Sequence, residues 1–128
     1  MQPMAGFLAT VLICDDEPSL RELIRISLDG GPYEFVEADD GEESLKLARS
    51  VRPDVVILDM MMPRRSGLEV LSELRKEEDF KDMRVIVLTA QPATREQALR
   101  AGADIVMVKP FEPEQIATAV EEVLGYRT

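Results

Sequence analysis

The residues best suited to take part in a reaction have acidic, hydroxyl or amine side chains and directly follow short apolar runs. Asp15 and Asp16 follow the first run, and Asp59 follows a run of Val, Ile and Leu. Thr89 and Lys109 follow two later runs. Three carboxylates, a hydroxyl and an ammonium could together hold a cation and accept a phosphoryl group, if the fold brings them together.

The charges of this set predict a hard divalent metal ion. Three carboxylates and one ammonium leave a net charge of −2. Like charges ~4 Å apart repel by about 4 kcal/mol at an effective dielectric constant of about 20, so clustered carboxylates need raised pKa values or a cation. Because the candidate ligand atoms are all oxygens and the chain has no histidine, zinc is disfavoured. Mg²⁺ is favoured, with Mn²⁺ as the alternative.

The same set predicts a chemistry. Asp59 could attack phosphorus as a nucleophile and form an aspartyl phosphate. The metal, Lys109 and the Thr89 hydroxyl would each stabilise a charged equatorial oxygen, and the small Ala90 would leave room for the group. Taken singly, Asp16 is as readily a helix cap, Thr89 a turn residue and Lys109 a solvated amine. Their joint occurrence after four separate runs favours a site.

The elements that must position these residues follow from the apolar pattern. Three of the five strand-length runs are continuous and rich in Val, Ile and Leu, as expected of parallel strands buried on both faces. The runs are Thr10–Cys14, Phe35–Ala38, Val55–Leu58, Val85–Leu88 and Ile105–Val108. Segments of helical period alternate with them. Pro18 predicts the start of the first helix, Gly102 the end of a short fourth helix, and Pro110 and Pro113 the opening of the fifth.

Five repeats of strand and helix with short connections predict right-handed crossovers and a doubly wound α/β fold. Ligands of such folds bind beyond the carboxyl ends of the strands, the edge where all the candidate residues lie. We expect a short N-terminal arm, 1–9, one domain, 10–125, and a C-terminal tail, 126–128.

Composition narrows the function. The 128 residues suit one domain, and 25 acidic against 15 basic residues give a net charge of −10, which repels nucleic acid and anionic membranes. The single cysteine, Cys14, excludes an internal disulfide. No apolar run approaches the ~20 residues of a membrane span, and the N-terminal segment lacks the basic residues and cleavage site of a signal peptide. We therefore expect a cytoplasmic protein that binds neither membranes nor nucleic acid directly.

The order of the motifs resembles the receiver domains of two-component response regulators. The motifs are Asp15-Asp16-Glu17-Pro18, Val55–Pro63 with Gly67-Leu68, Val87–Ala90, Ala101-Gly102-Ala103 and Lys109-Pro110-Phe111. The resemblance extends from about Thr10 to Leu124. It implies a flavodoxin-like, CheY-like α/β fold, in which a parallel five-stranded sheet has the strand order 2-1-3-4-5.

The resemblance also implies the role of each acid. Asp59 would be the phospho-acceptor. Mg²⁺ would be bound directly by Asp16 and Asp59, through a water by Asp15, and by the backbone carbonyl of Met61.

The remaining roles concern the switch and the partners. Lys109 would pair with Asp59 and then with the phosphoryl group, Thr89 would swing its hydroxyl towards that group, and the Lys109–Pro110 bond would be cis. The phosphoryl group would come from a histidine kinase or a phosphotransfer protein, and an unidentified downstream protein would read the switch. No enzymatic activity is implied beyond self-catalysed phosphoryl capture and autodephosphorylation.

Two features differ from the family pattern. An aromatic residue usually lies three positions before the lysine, where this chain has Val106. The stretch from Thr89 to Gly102 is shorter than usual by about half a helical turn and contains Pro92. Both departures concern the face that transmits the signal rather than the chemistry of phosphorylation.

Several functions stay open at this point. The chain could be a stand-alone receiver, a phosphorelay intermediate or phosphate sink without output, or a receiver from a larger regulator or hybrid kinase. A haloacid-dehalogenase-like phosphatase would need a second Asp two residues after Asp59, where Met61 stands. A flavin protein would need Ser, Thr and Gly donors in the first loop, where this chain has acids.

Overall fold

A computed structural model of the chain describes residues 8–125 as alternating strands and helices. The elements are β1 (Ala9–Cys14), α1 (Pro18–Ser27), β2 (Tyr33–Ala38), α2 (Gly41–Val51), β3 (Val55–Asp59), α3 (Gly67–Arg75), β4 (Arg84–Thr89), α4 (Arg95–Ala101), β5 (Ile105–Val108) and α5 (Pro113–Leu124). Short 3₁₀ turns at Glu78–Phe80 and Pro92–Thr94 precede β4 and α4. The predicted tail, 126–128, and most of the predicted arm, 1–9, lie outside the described residues.

All five strands run parallel, in the order β2-β1-β3-β4-β5. This confirms the doubly wound fold and the strand order that the resemblance implied. In the register of the ladder, Cys14 lies beside Leu58, and Asp59 lies beside Leu88. The carboxyl ends of β1, β3 and β4 therefore meet at one edge of the sheet, and β5 ends there beside Thr89.

Helices cover both faces of the sheet, so neighbouring residues of one strand pack into different cores. Leu12 belongs to the cluster that packs under α2, α3 and α4, where Leu71 is fully buried. Ile13 belongs to the cluster under α1 and α5, with Ile24 and Ile116. Burial on both sides explains why the strands are apolar without alternation.

The predicted boundaries hold with small corrections. α1 begins at Pro18. α4 ends at Ala101, and Gly102 follows as its C-cap with a φ of 115° that favours glycine. The prediction that Pro110 opens α5 is wrong, because the helix begins at Pro113 and Pro110 lies in the loop before it. β3 ends at Asp59 and β4 at Thr89, because these polar residues continue the ladder beyond the apolar runs. β2 begins at Tyr33, two residues before the predicted run. Within residues 8–125, no helix is long and apolar enough to cross a membrane.

Candidate functional site

The carboxyl edge of the sheet holds most of the buried polar side chains of residues 8–125. Four polar or charged residues of this part of the chain are buried, namely Asp15, Ser44, Asp59 and Thr89. Three of them lie at this edge, where Asp15 directly follows β1 and where Asp59 and Thr89 end β3 and β4. Because burying a charge costs free energy unless it is compensated, this concentration marks the edge as the candidate site.

Lys109 joins two of the buried acids. Its Nζ lies 3.2 Å from Asp59 Oδ1 and 3.8 Å from Asp15 Oδ2. The backbone N–H of Lys109 donates to the carbonyl of Thr89, and the bond from Lys109 to Pro110 is cis, as the resemblance implied. These contacts hold the ammonium over the two carboxylates.

Asp15 is poorly compensated for a fully buried acid. Its Oδ1 accepts a hydrogen bond from the backbone N–H of Glu17 at 2.8 Å, whereas its Oδ2 is buried without a hydrogen-bond partner. The pKa of Asp15 is raised to about 7, chiefly by burial and in part by the nearby Asp59 carboxylate, against the opposing effects of the Glu17 N–H and Lys109. A cation at Oδ2 would complete the coordination of this oxygen and displace the proton.

The carboxylate oxygens of Asp15, Asp16 and Glu17 lie within 4.8 Å of one another, close enough to share an ion. Asp15 forms the buried wall of this cluster, while Asp16 and Glu17 are exposed. The interpretation of Asp16 as a helix cap is wrong, because Glu17 occupies the N-cap position of α1 and no side chain caps that helix. Such an all-oxygen set suits a hard cation.

Asp59 and Met61, which complete the predicted ligand set, lie on the neighbouring strand end. Asp59 is 3 % exposed, and its Oδ1 accepts a hydrogen bond from the backbone N–H of Met61 at 3.3 Å. The Met61 side chain is 74 % exposed, so it leaves the approach to the loop open. Metal ligation by Asp59 and the Met61 carbonyl remains a prediction.

α3 fixes the backbone of Asp59 through a close contact with Gly67. The Gly67 N–H donates to the carbonyl of Met60 at 3.0 Å. A Cβ added at Gly67 would lie only 2.1 Å from the Asp59 carbonyl oxygen. Glycine is thus required where α3 meets β3.

The hydroxyl of Thr89 is bound to the following loop in this structure. Thr89 Oγ1 lies 2.8 Å from Thr94 Oγ1 and accepts a hydrogen bond from the backbone N–H of Gln91 at 3.1 Å. Thr89 lies at the carboxyl edge of the sheet, and its role at the site remains a prediction. Thr94 was not among the predicted site residues. No periodicity could have found Thr94, since its contact depends on how the loop closes.

Arg21 is a second residue that the sequence analysis missed. Its guanidinium donates to the backbone carbonyl of Asp15 and to the Glu37 carboxylate on β2, the latter at 2.8 Å. Arg21 thereby ties the acidic loop to the neighbouring strand. The sequence contained one indication of this role, because Arg21 is a charged residue next to Leu20 and Ile24 on the inward side of α1.

An apolar groove of about 440 Å³ opens beside the ammonium of Lys109. It lies between the start of α1 and the loop after β5. Its lining consists of Glu17, Ser19, Leu20, Leu23, Lys109, Pro110 and Phe111. The site therefore adjoins a surface that a protein could contact.

The sequence is similar to those of known response regulators. A family model described as the response regulator receiver domain matches residues 11–121. The response regulator MprA of Mycolicibacterium vanbaalenii is 42 % identical over 120 residues, which are 92 % of this chain and 51 % of that protein. The alkaline phosphatase synthesis transcriptional regulatory protein PhoP of Bacillus subtilis is 33 % identical over 114 residues, 89 % of this chain and 48 % of that protein.

Solved structures give the same result for the fold. The chemotaxis response regulator CheY4 of Vibrio cholerae superposes with a TM-score of 0.84 at 33 % identity, covering 91 % of this chain and 98 % of that one. The receiver domain of the Francisella response regulator 1452 superposes with a TM-score of 0.84 at 28 % identity, covering 92 % and 98 %. This chain thus spans about half of the curated relatives but nearly all of the solved receivers. By its motifs, its fold and these matches, the chain belongs to the response regulator receiver domains of two-component systems.

Proposed function

We propose that the protein accepts a phosphoryl group on Asp59 and that the phosphorylated form signals to a partner protein. The observation that supports this most directly is the buried Asp59 carboxylate, whose Oδ1 lies 3.2 Å from Lys109 Nζ. A buried acid beside an ammonium at the ligand-binding edge of a doubly wound sheet is well placed to act as a nucleophile. The second buried acid, Asp15, lies beside it.

The proposed donor is a phosphohistidine on a histidine kinase or a phosphotransfer protein. A carboxylate oxygen of Asp59 attacks phosphorus, and a P–O bond forms as the P–N bond breaks. The electron pair of the broken bond stays with the leaving imidazole. Lys109 donates to an equatorial oxygen, where charge is concentrated in the transition state, and the Met61 N–H orients the nucleophile.

The acidic loop fits a divalent metal. The fit rests on the buried Asp15 Oδ2, which lacks a hydrogen-bond partner, and on the oxygen cluster around Asp16. We propose that Asp15, Asp16, Asp59 and the Met61 carbonyl hold Mg²⁺, with Mn²⁺ as a substitute. When bound, the ion supplies positive charge to the phosphoryl oxygens.

The protein would then be its own substrate and not an enzyme for others, gaining and losing a phosphoryl group. The groove beside Lys109 offers the donor protein an apolar surface next to the nucleophile. An alternative within the same chemistry is a phosphorelay intermediate or phosphate sink. Val106, where an aromatic residue would otherwise transmit the switch to a partner, favours this alternative.

The relatives named transcriptional regulators are about twice as long as this chain. Regulation of transcription is named for those longer proteins, of which this chain spans about half. The net charge of −10 supports our proposal that this chain does not bind nucleic acid directly.

Phosphorylation by acetyl phosphate tests the proposed function. Intact mass spectra of the wild type should show one added phosphoryl group with Mg²⁺ and none with a chelator. Asp59→Asn should show none in either condition. Asp16→Ala should be phosphorylated much more slowly, because it weakens the metal site. A phosphoryl adduct that persists in Asp59→Asn, or that forms at the same rate without metal, would contradict the proposal.

A further inference from the structure

The hydroxyl of Thr89 belongs to a closed set of hydrogen bonds with the loop that leads into α4. Thr89 Oγ1 lies 2.8 Å from Thr94 Oγ1, which lies 2.8 Å from the carbonyl oxygen of Gln91. The N–H of Gln91 in turn donates to Thr89 Oγ1. Thr89 is 3 % exposed, so water competes poorly for these contacts.

The number of available protons determines which of the two hydroxyls is the donor and which is the acceptor. Each hydroxyl carries one proton. Thr94 donates its proton to the Gln91 carbonyl, which leaves its oxygen to accept the proton of Thr89. The other acceptor within reach of Thr89 is the same carbonyl, at the longer distance of 3.3 Å. Thr89 therefore cannot donate to a phosphoryl oxygen while it donates to Thr94.

The position of Thr94 connects this contact to a helix. Thr94 ends the 3₁₀ turn and directly precedes α4. Threonine is a favoured N-cap residue, yet its side chain makes no capping hydrogen bond here. The hydroxyl is directed to Thr89 and the Gln91 carbonyl instead, so any displacement of Thr89 removes a contact at the entrance to α4.

We propose that Thr94 is a positioning residue that holds Thr89 in the resting arrangement and transmits its release to α4. This rests on the proposed function, because a phosphoryl group on Asp59 is what competes with Thr94 for the Thr89 proton. A hydrogen bond to an anion is stronger than one between neutral hydroxyls, so the Thr89 hydroxyl leaves Thr94 and donates to the phosphoryl group. The signal then enters the 3₁₀ turn and the first turn of α4.

Beryllofluoride, used as a mimic of the phosphoryl group, tests this proposal by NMR titration. Thr94→Val lacks the hydroxyl but matches threonine in shape. It should bind the mimic about fivefold more tightly, the factor that one net hydrogen bond represents. The shift changes of the amides of residue 91 and residues 93–98 on binding should shrink, because the resting contact is already absent. Thr94→Ala should agree, and Thr94→Ser should restore wild-type behaviour.

The control is Thr118→Val, the same chemical change on a half-buried position of α5, which should behave as the wild type does. If Thr94→Val matches the wild type in both affinity and shift changes, or if Thr94→Ser fails to restore them, the role of Thr94 is wrong while phosphorylation stands. If the wild type itself neither binds the mimic nor takes a phosphoryl group, both proposals are overturned.

Discussion

At the scale of one residue, the buried carboxyl group of Asp15 lacks enough nearby positive charge to be stable in its ionised form. Its carboxyl group is buried, one oxygen has no hydrogen-bond partner, and its pKa is raised to about 7. The nearby Lys109 ammonium, 3.8 Å away, offsets only part of the cost. Without a bound metal ion, the Asp15 carboxyl group is therefore neutralised by taking up a proton.

This arrangement predicts how stability depends on pH without metal. Between the ordinary pKa of 3.8 and the folded value of about 7, the folded protein holds the Asp15 proton and the unfolded chain does not. The free energy of unfolding should therefore fall as pH rises through this window. Asp15→Asn cannot lose that proton, so its stability should fall less. Urea unfolding in a chelator at several pH values measures the difference.

The control for this prediction is Asp29→Asn, at an exposed position after α1, which should keep the wild-type slope. Added Mg²⁺ should stabilise the wild type at high pH more than it stabilises Asp15→Asn. Equal pH slopes for the wild type and Asp15→Asn would refute this description of Asp15.

At the scale of elements, the position of Asp59 depends on how tightly α3 packs against the end of β3. A Cβ at Gly67 would meet the Asp59 carbonyl oxygen at 2.1 Å and the Met60 Cα at 2.9 Å. Both are backbone atoms and cannot rotate away. The capping box between Ser66 and Glu69 fixes the start of α3 at this point.

Gly67→Ala should therefore both destabilise the protein and slow its phosphorylation. The overlap should cost roughly 1–3 kcal/mol, as for other overpacked sites, and it displaces the nucleophile. Gly30→Ala is a matched control, since its φ of 86° also penalises alanine but nothing lies within 4 Å of the added atom. Both variants should lose stability in urea, but only Gly67→Ala should react more slowly with acetyl phosphate. Equal reaction rates would show that the contact does not position Asp59.

Sequence reasoning succeeded where one physical rule governs the outcome. The strands were predicted because both faces of the sheet are covered, and Asp15, Asp59 and Lys109 because ligands gather at carboxyl ends. It failed for Arg21 and Thr94. Their hydrogen bonds reach backbone and side-chain atoms that only the closed loops bring near, and apolar periodicity carries no information about them.

At the scale of the whole molecule, we expect the conformational change to reach the surface differently than in a receiver with an aromatic residue on β5. Val106 lies beside Val87 in the ladder, is 8 % exposed and packs in the core cluster that includes Ala98 and Ala103. A β-branched side chain is stiff at χ1, and it has no ring to bury or expose. We therefore expect β5 to contribute little to the switch.

We expect beryllofluoride to shift the amides of Asp59, Thr89 and Lys109 strongly. The amides of Ile105–Val108 and of the outward face of α5 should shift much less, because Val106 cannot rotate into space that Thr89 leaves. Assigned amide spectra with and without the mimic measure this. Shifts across β5 and α5 as large as those around Asp59 would show that the missing aromatic residue is unimportant.

The central claim is that Asp59 carries the phosphoryl group, and locating that group tests it most directly. After reaction with acetyl phosphate and Mg²⁺, borohydride reduction converts an aspartyl phosphate into homoserine, which marks the residue in peptide mass spectra. We predict the mark at Asp59 alone, and its loss when metal is withheld. A mark at Asp15, Asp16 or elsewhere, with Asp59 unchanged, would contradict the account.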